Sequence, residues 1–426
     1  MFDPIGGFNR MIEQFLAYLD TAYRIDDPKV SEMRRELLSL PGQLALDPIF
    51  EAVPRYETAG HGLEALIDDR EEKLPGFTRP QREAFIELAL SGLFDRDKES
   101  AEIRGAYQPY LHQVQMLSKG VSDGKPGIVT SGTGSGKTES FMLPILAQLA
   151  REAISWPAPL QPLDDMWLDK GREFQPHRRN EHPDRPKAIR ALILYPLNAL
   201  VEDQMVRLRR ALDSDDAQDV MTRHFNGNRI FFGRYTGKSP VTGFLRHPRK
   251  SKDKTWKARN TRARRKLKEE LRRYQSIQKR LSTEDNPDLR YIFPTTDGAE
   301  LISRWDMQVT PPDILVTNQS ILNAMLVREV DDPILAQTRS WLMENDNARF
   351  CLVLDELHLI RGSAGAEMAG LLKVLIERLG LTDPVHVHKL RILASSASLP
   401  MDEENAGASI DYLKSMFGDA GTAGGA

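Results

Sequence analysis

One stretch restricts the fold of this chain more than any other. Ser131-Gly132-Thr133-Gly134-Ser135-Gly136-Lys137-Thr138 lies between the apolar run Gly127-Ile128-Val129-Thr130 and an apolar segment starting at Ser140. The run reads as a strand and the segment as a helix. A glycine-rich turn in that setting lets backbone N–H groups converge on a phosphate. The helix N-terminus adds about half a positive charge. The usual pattern has glycine where this chain has Ser131. The demand there is steric, and a small residue meets it. Lys137 can reach β- and γ-phosphates, and the Thr138 hydroxyl can hold Mg²⁺. Thr133, Gly134, Ser135, Gly136, Lys137 and Thr138 are therefore the expected nucleotide-binding residues.

The rest of the chain agrees with a parallel α/β sheet. Six apolar, β-branched runs read as buried strands: 127–130, 191–195, 229–233, 313–317, 351–354 and 391–395. Helical stretches separate them, as parallel strands require. Ligands in such sheets bind at the carboxyl ends of the strands, and five of the six runs end directly in a polar segment. Before this region, residues 1–103 read as helical. Phe8, Met11, Ile12, Phe15, Leu16 and Leu19 share one face. A second helix is expected to open at Asp27-Pro28 and stop at Pro41-Gly42, and a third to open near Thr78. Two stretches interrupt the strand–helix alternation. Residues 151–188 hold six prolines and few aliphatics and read as a loop or partly disordered insertion. Residues 238–295 contain a basic block with a predicted charged helix over about 254–280.

That block makes composition informative. The whole chain of 426 residues carries 58 Lys/Arg and 61 Asp/Glu, a net charge of −3. Residues 246–280 alone carry 16 Lys/Arg against 3 Asp/Glu. A basic block in an otherwise acidic protein speaks of partners rather than fold. Trp256 and Tyr274 within it are candidate base-stacking residues. No apolar run approaches the ~20 residues of a membrane span, and no leader pattern precedes the first helix. The single cysteine, Cys351, excludes an internal disulfide and reads as core. His177 and His182, and His386 and His388 on a possible strand, give no metal-site spacing. A cytoplasmic location is the expectation.

The second chemical constellation is Asp355-Glu356-Leu357-His358, directly after a strand. Paired acids at the end of a buried strand are costly unless compensated. Mg²⁺ with a nucleotide phosphate supplies that compensation. Asp355 would hold the metal, and Glu356 would orient or deprotonate the attacking water. By itself the tetrapeptide is also an ordinary helix-cap pattern.

On the phosphate loop and this tetrapeptide, residues 104–400 resemble the first RecA-like domain of superfamily 2 helicases of the DEAD/DEAH class. The resemblance implies a RecA-like P-loop domain, set here at 104–418 with insertions at about 151–188 and 238–295. It implies ATP and Mg²⁺ as cofactors, with Lys137, Asp355, Glu356 and His358 catalytic. It casts Gln113 as the adenine-reading glutamine; the alternative is an ordinary helix-surface residue. Tyr195 to Leu200 resembles motif Ia and Thr317 to Ser320 resembles motif Ib, both of which grip a nucleic-acid backbone in the family. Pro196, Asn198, Arg234, Thr236, Gly237, Thr317 and Asn318 are the implied nucleic-acid contacts, with DNA favoured over RNA. Ser396-Ala397-Ser398 stands where the family has Ser-Ala-Thr, so Ser396 and Ser398 are the implied coupling residues. Arg361, after the tetrapeptide, is a candidate contact to DNA or to a further domain. The narrower likeness, in YPLNALVEDQ, GRYTGKSP, LDELHLIRGSAGAE and ILASSAS, is to helicase subunits of bacterial anti-phage systems such as Druantia and DISARM. Motifs IV to VI of a second RecA-like domain are not found. The expected partners are nucleic acid, that second domain in cis or in trans, and defence-system proteins, with no membrane. The alternative reading is a non-catalytic, ATP-dependent nucleic-acid-binding or loading subunit.

Overall fold

A computed structural model describes residues 3–46, 48–49, 55–70, 72–122, 126–132, 134–284, 286–360, 362–399 and 406–417. The chain divides into two compact units, Met1–Arg55 and Tyr56–Ala426. The first holds α1 (Pro4–Ala22) and α2 (Pro28–Leu38). Asp3 and Asp27 cap them, each followed by proline in the first turn. Arg34 and Arg35 of α2 both pair with Asp20 of α1, at 2.7 and 3.0 Å. The apolar face predicted on α1 forms, yet only Leu16 of it is buried. The second helix ends at Leu38, ahead of the Pro41-Gly42 stop.

The second unit is built on six strands: β1 (Gly127–Thr130), β2 (Ala191–Tyr195), β3 (Phe232–Tyr235), β4 (Ile314–Asn318), β5 (Phe350–Leu354) and β6 (Leu390–Ser396). They form one sheet in the order β1-β6-β5-β2-β4-β3, and every pairing is parallel. All residues of β2, β4, β5 and β6 are buried, so both faces of the sheet's centre are covered. Helices flank it: α3 (Arg79–Ala89), α4 (Leu111–Val121), α5 (Lys137–Ala153), α6 (Asn198–Asp213), α7 (Asp215–His224), α8 (Lys254–Leu281), α9 (Arg304–Val309), α10 (Gln319–Val327), α11 (Asp332–Glu344), α12 (Gly362–Arg378) and α13 (Ala406–Phe417). This is the parallel α/β class, a sheet flanked by helices, expected from the sequence. The third predicted helix, α3, packs with α5 inside this unit. No helix among the described residues is long and apolar enough to cross a membrane.

β3 starts three residues later than the run at 229–233 suggests. The Phe231 N–H donates to the Asp313 carboxylate at 2.7 Å, so a side chain takes the place of a ladder partner. His386 and His388 lie at a short 3₁₀ turn (Val387–Lys389) before β6, not on a strand.

The two insertions differ most from expectation. Residues 151–188 are low in regular structure but not loose. Trp167 and Leu168 join Leu267 and Leu271 of α8 and Trp305 of α9 in a second, separate core. α8, predicted as a charged helix, is therefore anchored along one side. Its Lys268 ammonium donates to the Trp167 and Arg172 carbonyls at 2.8 and 3.1 Å, and Arg272 to that of Leu168 at 3.0 Å. Part of the basic block thus caps the backbone of the other insertion. Tyr274, half-buried, packs against this core and donates to Glu270 at 3.4 Å.

A buried ionic network ties the first insertion to the sheet. Asp313 accepts from Arg185 at 2.8 Å and Arg190 at 2.9 Å, while Glu181 pairs with Arg178 at 2.8 Å and Arg185 at 2.5 Å. Burial raises the Asp313 pKa, but the guanidiniums of Arg185, Arg178 and Arg190 outweigh it and hold the carboxyl below its ordinary value. Burial lowers Arg185 to about 10, partly offset by Asp313 and Glu181, and its guanidinium lies 3.8 Å from the centre of the Trp156 ring.

Candidate functional site

The phosphate loop connects β1 to α5, as the sequence requires. Gly134 and Gly136 adopt φ of 76° and 73°, in the left-handed region that glycine tolerates. Gly136 is constrained twice, because a Cβ there would lie 2.3 Å from the Gln113 amide nitrogen. The loop is braced from several sides. Ser131 and Ser135 hydroxyls meet at 2.5 Å, and Ser135 donates to the Gly132 carbonyl at 2.8 Å. The Gly132 N–H donates to the Tyr56 hydroxyl at 3.1 Å, and His112 Nε2 donates to the Ser135 carbonyl at 2.9 Å. Burial lowers the His112 pKa despite that bond. Thr133 lies outside the described residues, as does Arg361.

Gln113 is buried rather than on a helix surface. Its amide donates to the Gly136 carbonyl at 3.1 Å and accepts from the Tyr110 N–H at 2.8 Å. Both ends of the residue cast as an adenine reader are thus engaged, one of them on the phosphate loop.

Lys137 and Glu356 face each other, with Nζ 3.8 Å from Oε2. Both atoms are buried, and neither has a hydrogen-bond partner. A buried ammonium and carboxylate left unsatisfied at a glycine-rich turn is the chemistry expected where phosphate, metal and water enter. The donor set therefore fits a nucleoside triphosphate with Mg²⁺. Glu356 itself sits at φ 52°, a strained backbone for a residue with a Cβ. Thr138 follows Lys137 in the first turn of α5, half-buried.

Asp355 is held from three directions. Its N–H donates to Leu194 at 3.1 Å, its Oδ1 accepts from the Glu356 N–H at 3.0 Å, and the Ser395 hydroxyl donates to the same oxygen. Tyr195 lies beside it; burial and then the Asp355 charge push its phenol well above the ordinary value. His358 accepts from the Ala397 N–H through Nδ1 at 3.3 Å and stands 3.3 Å from Glu356 Oε2.

The contact between the acidic tetrapeptide and the last strand thus runs through Ser395 and the Ala397 backbone. The resemblance implied Ser396 and Ser398 as the coupling residues of this segment. Ser396 is buried with its hydroxyl unpartnered, and Ser398 is exposed. Strand alternation gives the reason. The carboxyl end of β6 lies against that of β5, and Ser395 is the position whose side chain reaches Asp355.

The residues implied as nucleic-acid contacts lie at the carboxyl ends of β2, β3 and β4: Arg234 in β3 and Thr317 and Asn318 in β4, the others just after β2 and β3. Pro196 is half-buried, and Asn198 opens α6, its side chain outside the described set. Gly237 is exposed. Arg234 pairs with Glu202 of α6, which also lies 3.6 Å from Lys238. Three other residues turn inward. Thr317 is fully buried and donates to the Tyr235 carbonyl at 2.6 Å. Thr236 is buried, and its hydroxyl accepts from the Lys238 N–H at 3.3 Å. Asn318 caps α10 by accepting from the Ile321 N–H at 2.9 Å. Their side chains build the loops instead of presenting a hydroxyl or amide to a strand.

Residues 110–230 match the DEAD/DEAH box helicase family. The chain is 30% identical over 428 residues to the Druantia protein DruE of Escherichia coli (strain UMEA 4076-1). That alignment takes in 92% of this chain and 20% of the relative, so the chain spans about a fifth of that protein's length. Among solved structures, that of the DUF1998 helicase MrfA aligns over 77% of this chain and 31% of its own. The TM-score is 0.37 and the identity 16%.

Proposed function

From residues 110–230, which match the DEAD/DEAH box helicase family, we propose an ATP-dependent DNA helicase or translocase. It would be the N-terminal ATPase part of a larger bacterial anti-phage defence protein. The observation that carries the reading is the buried Lys137 ammonium on the phosphate loop, 3.8 Å from Glu356 Oε2 after β5, with neither atom hydrogen-bonded. The defence assignment is supported by the similarity to a Druantia protein.

Backbone N–H groups of 134–138 and Lys137 would hold the phosphates of ATP, and Thr138 and Asp355 would hold Mg²⁺. Bound, ATP·Mg²⁺ supplies a phosphoryl group whose charge the ion shields. Glu356 orients a water and takes its proton, within reach of Lys137. Ser395 fixes the Asp355 carboxylate, and His358 ties the acidic turn to the end of β6. Movement at β6 would thereby be felt at Asp355, and DNA would cross the loops after β2, β3 and β4.

In related NTPases an arginine that reaches the transferring phosphoryl group is worth about 10³–10⁵ in rate. A second reading for the chain alone is an ATP-dependent nucleic-acid-binding or loading unit. Completion by a second RecA-like domain, in cis or in trans, would turn it into a motor.

ATP binding and turnover with and without single-stranded DNA, beside Lys137→Ala and Glu356→Gln, test the proposal. The expected result is ATP binding by the wild type and by Glu356→Gln, loss of binding in Lys137→Ala, and slow turnover that a second domain restores. ATP binding undiminished in Lys137→Ala would overturn the site.

A further inference from the structure

Beyond β3, at the opposite edge of the sheet from the phosphate loop, the chain builds a groove of about 660 Å³. Its walls are the loop 238–244 and one side of α8, and its floor reaches Trp305. We propose that this groove holds an unpaired base of a single nucleic-acid strand, with the flanking phosphates on its basic rim. The proposal rests on the nucleic-acid reading above and deepens it by giving the strand a second, aromatic station.

Three observations support it. The first is composition: Phe244 and Trp256 supply flat apolar walls, while Lys238, Arg259 and Lys266 supply cations, with Glu270 the one acid in the lining. Aromatic walls beside a cationic rim are what sequence-tolerant capture of a single strand needs. The Trp256 ring is only half-buried, and Arg259 and Lys266 are exposed. These charges are not spent on the neighbouring insertion, unlike Lys268 and Arg272.

The second observation is that the groove is braced. Asn260 of α8 donates to the Phe244 and Leu245 carbonyls at 3.2 and 3.3 Å, and the Trp305 indole donates to the Gly243 carbonyl at 2.9 Å. His247 packs between Phe244 and Trp256, with ring centres at 4.7 and 6.0 Å. Val241 is held at φ 57°, a conformation a β-branched residue rarely adopts. The loop is thus fixed before any ligand arrives, which lowers the ordering cost of binding.

The third is placement. The groove begins at Lys238, directly after the exposed Gly237 at the carboxyl end of β3. A strand crossing the loops after β2, β4 and β3 in sheet order meets it next.

The test is equilibrium binding of fluorescein-labelled (dT)₂₀ to the full 426-residue chain across a salt series. The variants are Trp256→Ala, Trp256→Phe and the exposed pair Arg259→Glu/Lys266→Glu. A (dT)₂₀ carrying abasic sites throughout serves as a second probe. Trp256→Ala is expected to weaken (dT)₂₀ binding about 5- to 50-fold, with Trp256→Phe restoring most of it. That loss should vanish on the abasic probe. The charge pair should lower the slope of log K against log salt by about 1.4, two single-strand phosphates. Wild-type binding that neither Trp256→Ala nor the charge pair alters would overturn the groove while leaving the nucleic-acid reading intact. No binding of (dT)₂₀ by the wild type at any salt would defeat that reading itself.

Discussion

Ser395 shows how much a single hydroxyl can matter to a site. It is the partner that pins Asp355 at the end of β6. Removing one partner of a charged hydrogen bond costs about 1.5–3 kcal/mol. Ser395→Ala is therefore expected to lower ATP turnover about 10- to 100-fold while changing ATP binding less than threefold, measured as phosphate release beside nucleotide titration. Equal losses in binding and turnover would show that Ser395 only supports the fold. The sequence indicated Lys137, Asp355 and Glu356 because fixed spacing after a strand leaves their side chains nowhere else to go. It did not indicate Ser395, because Ser396, one step along β6, and Ser398, just past its end, carry the same hydroxyl. A residue type cannot say which of three nearby serines reaches the acid; the register between β5 and β6 does. Thr317 and Asn318 show a related effect. Their polar groups are consumed by Tyr235 and by the cap of α10, partners invisible until the loops are folded.

At the scale of elements, the strands were legible and the insertions were not. Buried parallel strands are continuous apolar runs, and each of the six appears within a few residues of its predicted place. The proline-rich 151–188 segment lacks periodicity because it does not fold by periodicity. It folds by inserting Trp167 and Leu168 against Leu267 and Leu271, about a hundred residues away, and by burying Arg178 and Arg185 between Glu181 and Asp313. No local pattern announces such a core. Its weight is testable. Leu271→Ala should destabilise the chain by about 2–5 kcal/mol, read from urea unfolding. A cost near zero would mean that α8 is held by its backbone-directed Lys268 and Arg272 instead.

For the molecule as a whole, stability should carry a pH signature from buried acids of opposite sign. Burial raises Asp213 to about 6, against hydrogen bonds from the Ala299 N–H and the Thr295 hydroxyl. Folded, this carboxyl keeps a proton that the unfolded chain releases near pH 4. Its stabilising contribution is thus complete below about pH 4 and lost as pH rises through about 6. Asp313 works the other way, and its contribution is lost only at strongly acid pH, as it becomes protonated below its ordinary value. Asp213→Asn should therefore gain on the wild type, by on the order of 2–3 kcal/mol, between pH 4 and pH 7 in thermal melts. A difference independent of pH would contradict the assignment.

The shared core of the two insertions also bears on ancestry and on protein engineering. Because Trp167 belongs to one insertion and Leu271 to the other, neither can be cut away without stripping the hydrophobic cover from its mate. A lineage that shed one would be under pressure to shed both. A graft that carries the groove beside α8 into another sheet must bring residues 151–188 with it.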